Sequence, residues 1–191
     1  GGATGQTVTT QDGTNRANLK NYTLVSTMAD IAGTSGSSTH YALANDIDAA
    51  AFVITVPTSA NYLNVRGGTY SGTFAGLGHT ISRLSLGTAG TSNAGFFNTT
   101  GSGAIISDLR LSGATVNAGG NSGILIGSAN NGLTLRDLRV DSYGSGGSTV
   151  NSSVSGLGYD GVGGLVGNAG NGTLSNVYVL NTTVSGGGNS G

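Results

Sequence analysis

The chain repeats itself, and the spacing of the repeat limits its fold more than any single residue does. Residues 95–111 lie on 124–140 with an offset of 29 and no gap. Phe96 and Phe97 fall on Leu125 and Ile126, Ile106 on Leu135, Asp108 on Asp137, Leu109 on Leu138, Arg110 on Arg139 and Leu111 on Val140. A third copy begins 40 residues further on, where Leu165, Val166 and Gly167 match Leu125, Ile126 and Gly127. After a one-residue deletion, Leu174, Val177 and Val179 match Leu135, Leu138 and Val140. A partial upstream copy places Ile81, Leu84 and Leu86 on Ile106, Leu109 and Leu111, and Thr183–Gly191 repeats Thr115–Gly123 with an offset of 68.

Each unit reads as a short apolar strand, a turn of Gly, Asn or Ser, and a second strand that alternates apolar and polar residues, as in Leu109-Arg110-Leu111. Alternation of period two puts leucine on one face and arginine on the other. One such unit has too little apolar surface to fold alone, so units must stack, each strand pairing with its counterpart in the next. The predicted fold is all-β, a right-handed parallel β-helix, with residues 1–191 forming a single segment. At roughly 25–30 residues per coil the chain supplies about six or seven coils. Leu84, Leu109, Leu138 and Val177 are the expected apolar stack. The longer 40-residue interval predicts a protruding loop over residues 142–158. Corners such as Asn130-Asn131-Gly132 and Asn171-Gly172 need residues that accept positive φ, and asparagines at equivalent corners can hydrogen-bond from layer to layer.

Composition agrees. The chain has 37 glycines, one lysine and no glutamate, and charged residues make up 8% of it. Helices draw on Ala, Leu, Glu and Lys, whereas Gly, Thr, Ser and Asn weaken them and suit turns and strands. Disorder is the rival expectation for so polar a chain. It is set aside because apolar residues reach 36% and gather in short runs such as Ile105–Leu111 and Leu174–Leu180.

Several function classes are disfavoured on the same grounds. A net charge of −1 with scattered cations gives no electrostatic footprint for nucleic acid. No run approaches the roughly 18 apolar residues of a membrane span, so membrane insertion is not expected. With no cysteine the chain has neither disulfides nor thiolate metal ligands, and no cofactor or metal is called for. Gly1–Gly5 has neither the charged nor the apolar region of a signal peptide, so a signal for export is expected outside this chain.

Catalysis on a rod of this kind would need clustered acids in a groove. All eight acids are aspartates, and Asp46 and Asp48, two apart on one strand face, are the one candidate acid or calcium pair. The structural alternative for them is a cap that accepts backbone N–H bonds. His40 and His79 stand apart from acids in sequence and read as polar corner residues. Asp108, Arg110, Asp137 and Arg139 recur on the outward face as a surface charge lattice, relieved by diagonal contacts from Asp108 to Arg139 or Arg110 to Asp137. Tyr70, Tyr143, Tyr159 and Tyr178 can stack on sugar rings or fill corners. No catalytic residue is assigned. The alternative to a structural role is a carbohydrate-binding or carbohydrate-cleaving β-helix.

Residues 72–86, Gly-Thr-Phe-Ala-Gly-Leu-Gly-His-Thr-Ile-Ser-Arg-Leu-Ser-Leu, resemble the segment that opens GLUG-type repeats in large bacterial surface exoproteins. Tyr41-Ala-Leu-Ala-Asn-Asp-Ile-Asp48 resembles the phrase that precedes it, Asn21–Val25 an earlier strand, and Gly163-Gly-Leu-Val-Gly167 the repeat core. The resemblance covers about residues 21–185 and departs at Ala75, where the family usually has Asp. It points to filamentous-haemagglutinin-like proteins of two-partner secretion. It implies an extracellular shaft or adhesin at the bacterial cell surface, with no catalytic site here. The expected partners are further copies or further coils end to end, and a host or cell-surface glycan.

Overall fold

A computed structural model describes residues 7–11, 19–32, 38–52, 66–86, 93–118, 120–144, 147–152, 161–185 and 189–190. They are mostly strand, in four sheets. The largest runs Thr7–Gln11, Leu19–Val25, His40–Leu43, Thr73–Ala75, Ile105–Ser112, Leu133–Asp141, Gly172–Val179, with Ile47–Asp48 beside Thr80–Ser82 and the latter also on Ile105–Ser112. The second orders Arg66–Tyr70, Phe97–Thr100, Ile126–Ala129 and Val166–Ala169. The third orders Ser85–Leu86, Thr115–Ala118, Ser148–Ser152 and Thr182–Ser185, and the fourth Asn93–Ala94, Asn121–Ser122, Gly161–Val162 and Asn189–Ser190. Among the described residues every strand pair is parallel except Thr7–Gln11 on Leu19–Val25.

The registers are those of the sequence repeat. Phe97 faces Ile126, which faces Val166; Leu109 faces Leu138, which faces Val177; Leu111 faces Val140, which faces Val179. The 68-residue echo also finds its place: Thr115 faces Thr149 and Thr149 faces Thr183, so the two similar segments lie two layers apart. Amides bridge layers as expected. Asn121 Nδ2 donates to Asn93 Oδ1 at 3.0 Å, its Oδ1 accepts the Gly161 N–H at 2.7 Å, and Asn131 Oδ1 accepts the Asn171 N–H at 2.9 Å.

The core lies between the sheets. Tyr70 stacks on Phe97 with centroids 5.1 Å apart, and Phe74, Phe96 and Phe97 meet edge to face. Ile124, Leu125 and Ile126 take over from the phenylalanines in the next layer. Gly127 shows why the short strands are framed by glycine. A Cβ there would lie 2.8 Å from Ala94 N and 2.9 Å from Asn98 O, so the close backbone approach admits no side chain.

Three expectations need correction. Leu84 is not in the Leu109, Leu138, Val177 column: Phe74 faces Ile106 and Ile81 faces Leu111, while Leu84 is drawn on by the amide of Thr115. The four residues Gly76–His79 occupy the place that Asp108-Leu109 fills in the next layer, so the upstream copy carries a longer turn than an ungapped alignment allows. Residues 142–158 are not one protruding loop, because Ser148–Ser152 is a strand between Thr115–Ala118 and Thr182–Ser185. The extra length enters twice: the spacing to the next layer is 29 residues at Leu109, 34 at Thr115 and 40 at Ser122. Residues 153–160, with Tyr159, lie outside the described residues.

The third correction is chemical. Asp108 and Asp137 do not stand outward in a regular strand; they have φ of 54° and 53°, and the register passes over them between Ser107–Arg136 and Leu109–Leu138. Leu77 (φ 53°) and Asn176 (φ 51°) have the same conformation, Asn176 at the matching bend of the next strand. Asp and Asn enter this left-handed region more readily than other non-glycine residues, which explains their recurrence at this point of the repeat. Among the described residues no ion pair joins Asp108 or Asp137 to an arginine, and Asp137 Oδ1 instead accepts Asn176 Nδ2 at 2.9 Å.

Candidate functional site

The first insertion lies where the regular surface opens. Asp141 ends its strand in the largest sheet, and Tyr143 and Gly144 follow it, both exposed, before the chain enters the third sheet at Ser148. Tyr143 is 47% exposed and its Cβ packs where a side chain on Gly113 would have to go. Gly113 also has φ of 63°, so two constraints require glycine there. Beside this bend lies an open cleft of about 430 Å³, lined among others by Asp46, Asp48, Thr80, Ser82, Arg110 and Tyr143.

Three segments far apart in sequence build its floor. Asp46 Oδ1 accepts the Thr80 N–H at 2.8 Å and lies 3.2 Å from His79 Nδ1. Asp48 Oδ1 accepts the Ala50 N–H at 3.1 Å and Arg83 Nε at 2.9 Å, and the pair is closed by Arg83 to Asp48 Oδ2. The Arg83 guanidinium then sits 5.2 Å from the centre of the Tyr143 ring, a cation–π distance. Asp141 is nearly buried and takes two arginines, Arg110 at 2.9 Å and Arg139.

These contacts set the charge states. The Thr80 amide, with His79 as a lesser contributor, holds the Asp46 carboxyl below its ordinary value. Arg83, then the Ala50 amide, does the same for Asp48. For Asp141 burial alone would raise the pKa, but hydrogen bonds from Arg110, Arg139 and Ser112 outweigh it and the net direction is down. A general acid needs a carboxyl raised toward neutrality, and both members of the Asp46–Asp48 pair move the other way.

The sequence expectations sort accordingly. Asp46 and Asp48 do lie together in the cleft, and both accept backbone N–H bonds as caps do. Among the described residues no group of three His or Asp side chains is placed to hold a metal ion. Arg110 and Arg139 meet at Asp141, an acid the charge lattice did not include. His79 reaches Asp46 across 33 residues of sequence, and His40 accepts the Thr73 N–H at Nδ1, 3.0 Å. Tyr70 is core, its hydroxyl donating to Thr39 O at 2.9 Å, while Tyr178 is exposed. No protein-family model, curated protein or solved structure matches the chain.

Proposed function

We propose that the chain is a right-handed parallel β-helix segment of an exported bacterial surface protein, a structural shaft or adhesive filament that works by stacking layers and presenting their outer surface. The observation that carries this reading is the condition of the last layer. Leu174, Val177 and Val179 continue the columns of Leu135, Leu138 and Val140, which are buried, yet Leu174 is 59% and Val179 40% exposed. Among the described residues no strand pairs with the outer edge of Gly172–Val179, and an apolar layer with such an edge is a template for further pairing. The occupant that fits it is another layer of the same kind, from further coils of this repeat or from a further copy.

The low charge and the many Thr, Ser and Asn residues suit a surface that is solvated without attracting polyanions. The GLUG-like phrases support an extracellular location at the bacterial cell surface. Sedimentation velocity of the wild-type chain and of a Leu174→Asp, Val179→Asp variant tests the stacking. The expected result is concentration-dependent association of the wild type and a folded monomer for the variant. A wild-type chain that stays monomeric at every concentration would contradict it.

A further inference from the structure

We propose that the cleft beside Tyr143 is a binding site for an uncharged saccharide. Its volume of about 430 Å³ falls within the roughly 300–1,000 Å³ of small-ligand clefts. It is built where the repeat departs from itself, on the insertion after Asp141, whereas a shaft needs no insertion at that corner. The side chains there are of two kinds, an exposed aromatic ring and a set of hydroxyl-matching polar groups.

The arginines at the cleft are all engaged by carboxylates. Asp48 is taken by Arg83, and Asp141 by Arg110 and Arg139. Asp46 uses Oδ1 for Thr80 and His79, leaving Oδ2 without a protein partner among the described residues. The Thr80 and Ser82 hydroxyls, which line the same cleft, have no protein partner among the described residues either. One open carboxylate oxygen and two hydroxyls accept from, or donate to, neutral hydroxyl groups at short range. An anionic sugar would meet the Asp46 carboxylate and would have to compete with Asp48 and Asp141 for the arginines they already hold. Among the described residues no three His or Asp side chains are grouped around a bare cation.

Tyr143 supplies the other half of saccharide recognition. Arg83 lies over its ring on one side and Gly113 approaches it closely at its base, which narrows the positions the ring can take. A half-exposed ring confined in this way offers apolar area to the C–H face of a pyranose. The polar groups then read the hydroxyls at the rim of the same sugar. The site does not depend on the open face of the last layer.

Cellotetraose, maltotetraose and chitotetraose, with tetragalacturonate as the charged comparator, are titrated into the labelled chain and followed by NMR shifts and calorimetry. At least one neutral tetrasaccharide is expected to bind, shifting the amides of Thr80, Ser82 and Gly144. Tyr143→Ala should weaken that binding about tenfold or more. Tyr143→Phe should retain most of it, and Asp46→Asn should weaken it with the spectrum otherwise unchanged. The Leu174→Asp, Val179→Asp variant should bind as the wild type does, which separates this site from stacking. The proposal is overturned if no neutral probe binds, if tetragalacturonate binds as well as the best neutral probe, or if Tyr143→Ala and Asp46→Asn leave affinity unchanged.

Discussion

The two ends of the largest sheet treat the same apolar interior in opposite ways. Beside Leu19–Val25, the helix Met28–Ala32 lays Met28 and Ile31 on the core, both buried. Thr27 and Asp30 fix its start reciprocally: Thr27 Oγ1 accepts the Asp30 N–H at 3.1 Å, and Asp30 Oδ2 accepts the Thr27 N–H at 2.9 Å. The antiparallel strand Thr7–Gln11 closes the parallel series there. At the other end Gly172–Val179 repeats the inward pattern of its neighbour and leaves it in solvent. An apolar residue at an inward position is therefore no measure of burial; a following layer decides it.

The sharpest way to break this comparison is to truncate register partners. Leu135→Ala should cost about 2–5 kcal/mol, because the side chain is fully buried and leaves a cavity, while Leu174→Ala should cost less than about 1 kcal/mol in the monomer. Urea midpoints of the two variants check it, and equal losses would mean that the last layer is covered. Ile31→Ala should cost about 2–4 kcal/mol and loosen the helix-covered end first, read from the denaturation midpoint together with proteolysis near residues 26–32.

A further difference between the ends is acid sensitivity. His40 Nδ1 accepts the Thr73 N–H, and burial first, Lys20 second, hold its pKa below the ordinary 6.5. Folding thus favours the neutral ring. Its contribution is complete above about pH 6.5 and is lost as the pH falls through the lowered value. The melting temperature should drop between pH 7 and 5 in the wild type and less in His40→Asn, which keeps an acceptor without titrating. Parallel curves would remove His40 from the account. The smallest effect is a gain. Leu77 is exposed with φ of 53°, so Leu77→Gly should stabilise by about 1 kcal/mol, measured by thermal melting.

The sequence pattern carried the layering well where the repeat has no gap. The offset of 29 places Ile106 on Leu135 and Leu109 on Leu138 as the sheet does, and the offset of 40 places Ile126 on Val166. It failed where length changes inside a turn. The longer Gly76–His79 segment moved Leu84 out of its expected column, and two separate insertions looked like one loop because a repeat interval reports only their sum. Asp108 and Asp137 were legible in a different sense: their alignment with Asn176 signals left-handed backbone, and a charge-based reading overlooks it. The cleft was largely hidden. Asp46 meets His79 and Thr80, and Asp48 meets Arg83, at separations of 33–35 residues that match no local motif.

Amide hydrogen exchange on the monomeric chain tests the central claim most directly. In a parallel ladder, successive residues bond to opposite neighbours, so an edge strand leaves alternate amides unpaired. The account predicts slow exchange through Ile105–Ser112 and Leu133–Asp141, and fast exchange at alternate amides of Gly172–Val179, slowing on association. Uniform protection of all three strands in a monomer would contradict it.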